Sequence, residues 1–130
     1  MGGRTVTVEL ENGIALRVSF ERLGRDLSVT VTGGDRPHIG SVAVAVPRPS
    51  LTGNGTLSAT VSVMNMTGHK DDAVSVPLAK ALAAHFNGTV CVSAGIHFDA
   101  VTERETEAVI GAVPLILARI CAEAEKDNAD

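Results

Sequence analysis

Three of the four histidines lie in short segments that set an imidazole beside glycine and aspartate: GGDRPHIG (33–40), MTGHKDD (66–72) and SAGIHFDA (93–100). Neutral imidazole is a common ligand for zinc and other borderline divalent metals. His38, His69 and His97, brought to one point, would make a three-histidine site with an open position. Asp35 and Asp99 would either fix the ring tautomers from behind or coordinate directly. The same segments suit a second chemistry, the recognition of an anion. Gly33 and Gly34 free the backbone to form an N–H nest, and Gly68 precedes a helix N-terminus that favours phosphate. Arg36, Arg48 and Lys70 supply positive charge. His85, in AAHFNG, reads instead as a cation closing a helix C-terminus.

Those residues converge only if the elements between them run the right way. RTVTVEL alternates through Val6, Val8 and Leu10, and ENG supplies an Asn-Gly turn before IALRVSF. DLSVTVTG, SVAVAVP and TLSATVSVMNM continue the alternation, so residues 4 to 66 predict five strands of an antiparallel meander. DDAVSVPLAKALAAHFNG then takes on the period of a helix, acidic at its start and stopped at Gly88. TVCVSAGI is apolar on both faces, as a central covered strand would be. TERETEAVIGAVPLILARICAEAEK predicts a second helix that opens on a Thr102–Glu105 capping box and is kinked or split at Pro114. The expected fold is therefore α+β, a mainly antiparallel meander of about six strands with two helices on one face, in a single domain over residues 1–130. The opposite face, carrying Thr, Ser, Ala and Arg, would be solvated or would meet a second copy.

Strand direction gives the histidines their meaning. Strands one, three and five of a meander run the same way, and a sixth entered through a helical crossover most simply does too. The segments leaving strands three, five and six then share one edge of the sheet, and these are the segments with His38, His69 and His97. TGNGT (52–56) falls on the opposite edge, as the tight connection between strands four and five.

Composition excludes several classes. Net charge is −4, with only three aromatic residues and no Trp or Tyr. The chain has neither the basic face of a nucleic-acid binder nor a stacking platform for single strands. No apolar run reaches about 18 residues, so no membrane span is expected. Cys91 and Cys121 lack metal spacing and read as buried thiols of a reducing cytosol. There is no P-loop, Rossmann fingerprint, G-x-S-x-G or H-E-x-x-H motif. Binding is a better reading than catalysis; a metal-dependent enzyme built on the three histidines, or a purely structural docking subunit, are the alternatives.

GGDRPHIGSVAVAVPRPS, TGHKDD and SAGIHFDAVT resemble the small accessory proteins encoded with UbiD-family non-oxidative hydroxyarene decarboxylases, such as the gallate and protocatechuate enzymes. The likeness runs from about residue 25 to residue 115. The family is described as prenylated-flavin chaperones with a fold similar to proteasome assembly chaperones. The resemblance implies a cytoplasmic, non-enzymatic homodimer. It would bind prenylated FMN (or FMN) from a transient flavin prenyltransferase partner and deliver it to a UbiD-type decarboxylase. It carries Asp35, His38, His69 and His97 over as motif positions. With the anion-binding set, the candidate cofactor site is Gly34, Asp35, Arg36, His38, Arg48, Gly68, His69, Lys70 and His97. A divalent metal such as zinc on His38, His69 and His97 would be a further component.

Overall fold

A computed structural model describes residues 3–66, 71–99 and 102–128. The chain forms β1 (Arg4–Glu9), β2 (Ala15–Leu23), β3 (Asp26–Gly34), β4 (Ser41–Pro49) and β5 (Leu57–Asn65). There follow α1 (Asp72–Phe86), β6 (Val90–His97), α2 (Glu103–Gly111) and α3 (Val113–Asn128). All six strands join one sheet, antiparallel except for a single parallel pair, in the order β1-β2-β3-β6-β4-β5.

The α+β class and the helices gathered on one face are as the periodicity predicts. The order departs from a simple meander, because β6 inserts between β3 and β4. Neighbouring strands are about 4.8 Å apart, so the chain leaving β3 must cross nearly 10 Å to start β4. A two-residue turn cannot do this. Residues 35–40 are the bridge that steps past the end of β6, and that is why this connection is so long. Pairing keeps β3, β5 and β6 pointing the same way. The directional expectation therefore holds, although β6 lies beside β3 and is separated from β5 by β4.

The covered face is built from Leu16, Val18, Phe20, Leu27, Val29, Val31, Val90 and Val92, against Leu78 and Leu82 of α1 and Ile116 and Ile120 of α3. Each such side chain stabilises the fold by about 1.5–3 kcal/mol when fully buried. On β4 the buried apolar residues are Ala43 and Ala45, while Val44 and Val46 are exposed. Alanine was expected on the outer face. The inversion follows from α1 lying directly over β4, β5 and β6, where small side chains permit close approach. Ser41 and Ser75 meet as a buried hydroxyl pair at 2.8 Å, tying the start of β4 to α1.

One register row crosses the outer face through Thr5, Ser19, Thr30, Ser93, Val42 and Met64. That face is rich in hydroxyls, including Ser58, Thr60 and Ser62 of β5, and its apolar strip is Val42, Val44 and Val46 of β4 with Met64 beside them. The central strand β6 is thus covered on one face only, and Cys91 and Ser93 on the other are half-buried. The long C-terminal helix is split: the capping box of Thr102 and Glu105 starts α2, and the helix breaks at Ala112. Pro114 has no N–H for the Ile110 carbonyl, and its ring would collide there.

Candidate functional site

The crossing loop, the end of β6 and the start of α1 meet at one edge of the sheet, and glycines let the backbones touch. Gly34 has φ +78°, and a side chain there would fall on the His97 carbonyl; one on Gly95 would fall on the His38 carbonyl. Gly40 abuts the Asp71 carboxylate in the same way. The Asp35 N–H donates to the His97 carbonyl at 2.6 Å and the Gly40 N–H to the Ala94 carbonyl at 2.9 Å. The Gly33–Gly34 segment therefore does not act as the expected anion nest, since the amide that follows it is committed to β6.

His38 and His97 come together as predicted, their rings edge to face with centroids 6.1 Å apart. The Arg36 carbonyl can only accept, so His38 Nδ1 donates to it at 3.2 Å. His38 Nε2 then faces Asp71 Oδ2 at 3.5 Å. Asp71 is 7% exposed, and its Oδ1 accepts the Ile96 N–H at 3.0 Å. Around His97, Asp99 Oδ1 lies 3.2 Å from Nε2 and accepts from the Arg36 guanidinium at 3.0 Å. Asp35 Oδ2 accepts the Asp99 N–H at 2.8 Å, which fixes the turn after β6. The Arg36 guanidinium, and after it His97, hold the Asp99 carboxyl below its ordinary pKa.

Arg36, Pro37, His38 and His97 line an open cleft of about 280 Å³. Gly68, His69 and Lys70 lie outside the described residues. Among the described residues, no group of three or more His, Cys, Asp or Glu side chains is arranged to hold a metal ion. The two described members of the expected trio fit a metal poorly: His38 faces an acceptor from each ring nitrogen, and His97 Nε2 is taken by Asp99.

Arg48 does not belong to the site. It sits near the far end of β4, where Nε donates to Thr60 Oγ1 at 2.8 Å and Nη1 to the Pro49 carbonyl at 3.1 Å. β4 runs away from the cleft, so a position late in that strand cannot reach it. Asp71 is the residue that sequence reasoning missed. Its place in the acidic start of a helix read as dipole compensation, whereas the side chain turns to β6 and His38 and makes no cap bond. His85 occupies the last turn of α1 against Phe86, as expected. Cys91 and Cys121 are free thiols but half-buried rather than buried, and partial burial together with Glu125 pushes the Cys121 thiol up.

Comparison with known proteins gives a consistent result. Residues 10–125 match the family described as the prenylated flavin chaperone LpdD-like domain. Protein LpdD of Lactiplantibacillus plantarum is 33% identical over 106 residues, covering 80% of this chain and 72% of that protein. The fold resembles a chain in the crystal structure of a chaperone complex for yeast 20S proteasome assembly. The TM-score is 0.57 at 14% identity, over 97% of this chain and 98% of that one. At that identity the likeness concerns the fold alone.

Proposed function

The chain belongs to the prenylated flavin chaperone LpdD-like family, and from that premise we propose that it is a non-enzymatic carrier of prenylated FMN. It supports delivery of the cofactor to, or maturation of, a UbiD-type non-oxidative decarboxylase, after a transient encounter with the flavin prenyltransferase. The single observation that carries this reading is the family match, which spans all three histidine segments. The cleft supports it. Arg36 offers a charge at the mouth, and the rings of His38 and His97 stand beside it. A carrier needs a polar pocket that holds its ligand without reacting. His69 and Lys70 belong to the same candidate set as motif positions.

The working form is a cytoplasmic homodimer that pairs through the helix-free face around Val44 and Val46, farther along β4 from the cleft than the Val42–Met64 pair. Val44 and Val46 are exposed there amid Ser and Thr, a combination suited to sheet-on-sheet packing. That same uncharged strip favours one other reading, a docking subunit that binds the decarboxylase and no small molecule.

Native mass spectrometry after exposure to freshly made prenylated FMN tests both. The expected result is a dimer that gains the cofactor mass, with metal content read from the same spectrum. A bare dimer that instead remains bound to the decarboxylase would replace the carrier with the docking subunit.

A further inference from the structure

Building on the carrier reading, we infer that the flavin ring is held outside the cleft, on an apolar shelf formed by Ile39, Met64 and Met66. The cleft is open and small, about 280 Å³, at the lower end of the roughly 300–1,000 Å³ of sites that enclose a ligand of this size. With the polar tail of a flavin mononucleotide at Arg36, the tricycle extends onto the adjoining surface.

Aromatic stacking does not supply that surface. Phe20 is buried, Phe98 packs against the core, and Phe86 lies beside His85 under the Arg22 guanidinium at the other end of α1. These are the only aromatic residues of the chain besides histidine. What the cleft does adjoin is exposed and aliphatic. Ile39 follows His38 directly and is 59% exposed. The Met66 N–H donates to the Gly40 carbonyl at 2.8 Å, which sets Met66 beside the same loop. Met64 pairs with Val42 on the helix-free face and is 69% exposed. From β6 to β5 the shelf spans two strand spacings, about 10 Å, comparable with the reach of a flavin from phosphate to ring. Methionine thioethers are polarisable and pack well on aromatic faces, so this shelf can take a flavin where Trp or Tyr is missing.

FMN and riboflavin share the ring and differ in the phosphate, so titrating both by flavin fluorescence separates shelf from cleft. The double variant Met64→Ser/Met66→Ser is expected to weaken both ligands alike, by about tenfold. Arg36→Gln is expected to weaken FMN and leave riboflavin within about twofold. All three positions are exposed, and a far-UV melt confirms that each variant is folded. Wild-type affinity for both ligands in the double variant would overturn the shelf. So would conversion of that variant from dimer to monomer, which would extend the interface between copies over Met64 and Met66 and leave no shelf. A wild type that takes prenylated FMN but not FMN would also overturn the shelf, because the shelf reads features common to both, while leaving the carrier standing. A wild type that takes neither would sink both.

Discussion

Two glycine-rich connections sit at opposite ends of β4, and they use glycine for different reasons. In residues 50–56, Gly53 and Gly55 have φ values of +70° and +80°, and a side chain on either would meet nothing within 4 Å. The turn is closed by its own hydroxyls and amides, with Ser50 on Thr52 and Asn54 on Thr56. At the other end, Gly34, Gly40 and Gly95 each lie against another segment: the His97 carbonyl, the Asp71 carboxylate and the His38 carbonyl. Glycine in the first loop permits a backbone conformation. Glycine in the second permits contact between three separate pieces of chain, and the candidate site is where they touch.

The sharpest way to break this distinction is a matched pair of alanine substitutions. Gly95→Ala drives a Cβ into the His38 carbonyl and must move the crossing loop. The expected cost is about 2–3 kcal/mol, a fall in Tm of roughly 10 °C, with the His38–His97 contact disturbed. Gly53→Ala has space around it and carries only the strain of a left-handed alanine, about 1 kcal/mol. Urea unfolding of both proteins checks the order. Equal destabilisation would mean that the crossing loop yields as readily as an ordinary turn.

Next in size is Asp71→Ala. It leaves the Ile96 N–H without its acceptor and removes the carboxylate facing His38, for about 1–3 kcal/mol. Asp71→Asn keeps one oxygen for Ile96 and should recover part of that loss. The ring-nitrogen shifts of His38 should change in both variants, since both lose the charge. Neighbouring Asp72, whose Oδ2 accepts only from the exposed Asn65 side chain at 3.3 Å among the described residues, is the control. Asp72→Ala should stay within about 0.5 kcal/mol.

Asp71 also marks where the sequence was legible and where it was not. Alternation and turn residues reveal the strands, and crossover logic gives their directions, so His38 and His97 could be placed on one edge before any coordinates. Strand order is a different matter. The insertion of β6 between β3 and β4 is a long-range pairing that no local pattern encodes; the only trace is a connection longer than a hairpin needs. The role of Asp71 depends on that insertion, because its partner Ile96 belongs to β6. Ala43 and Ala45 were hidden for a similar reason. Their burial follows from where α1 lies, and in a strand with valine on one side and alanine on the other, valine looks like the core.

A smaller effect separates the charged rim from the buried pair. Arg36 and Asp99 are exposed, with side-chain exposures of 72% and 65%, so their contact contributes little to stability, but it should govern titration. The folded-state pKa of Asp99 is depressed. Any stabilisation from this group is therefore present above its unfolded value, about pH 4, and is lost as pH falls through the folded value. Arg36→Gln removes the largest cause and should return the carboxyl toward its ordinary value. A carboxyl-carbon NMR titration reads this directly. An unchanged Asp99 would assign the depression to His97 instead.

The smallest expected effect is at Arg48, which contrasts one end of β4 with the other. Arg36 is exposed and Arg48 half-buried, both in loop-proximal positions, and sequence alone grouped them as anion partners. In the folded chain they are far apart. Arg48 lies seven residues along β4 from Ser41, about 23 Å at the rise of an extended strand. Its guanidinium is engaged locally by Thr60 and the Pro49 carbonyl. At such a distance, through water and salt, its charge is screened over more than two Debye lengths of about 8 Å. Arg48→Gln should therefore leave FMN affinity within about twofold and stability within about 0.5 kcal/mol, while Arg36→Gln weakens FMN. If Arg48→Gln weakened FMN as much as Arg36→Gln does, the ligand would have to reach the lower end of the sheet, and the upper edge could not be the whole site.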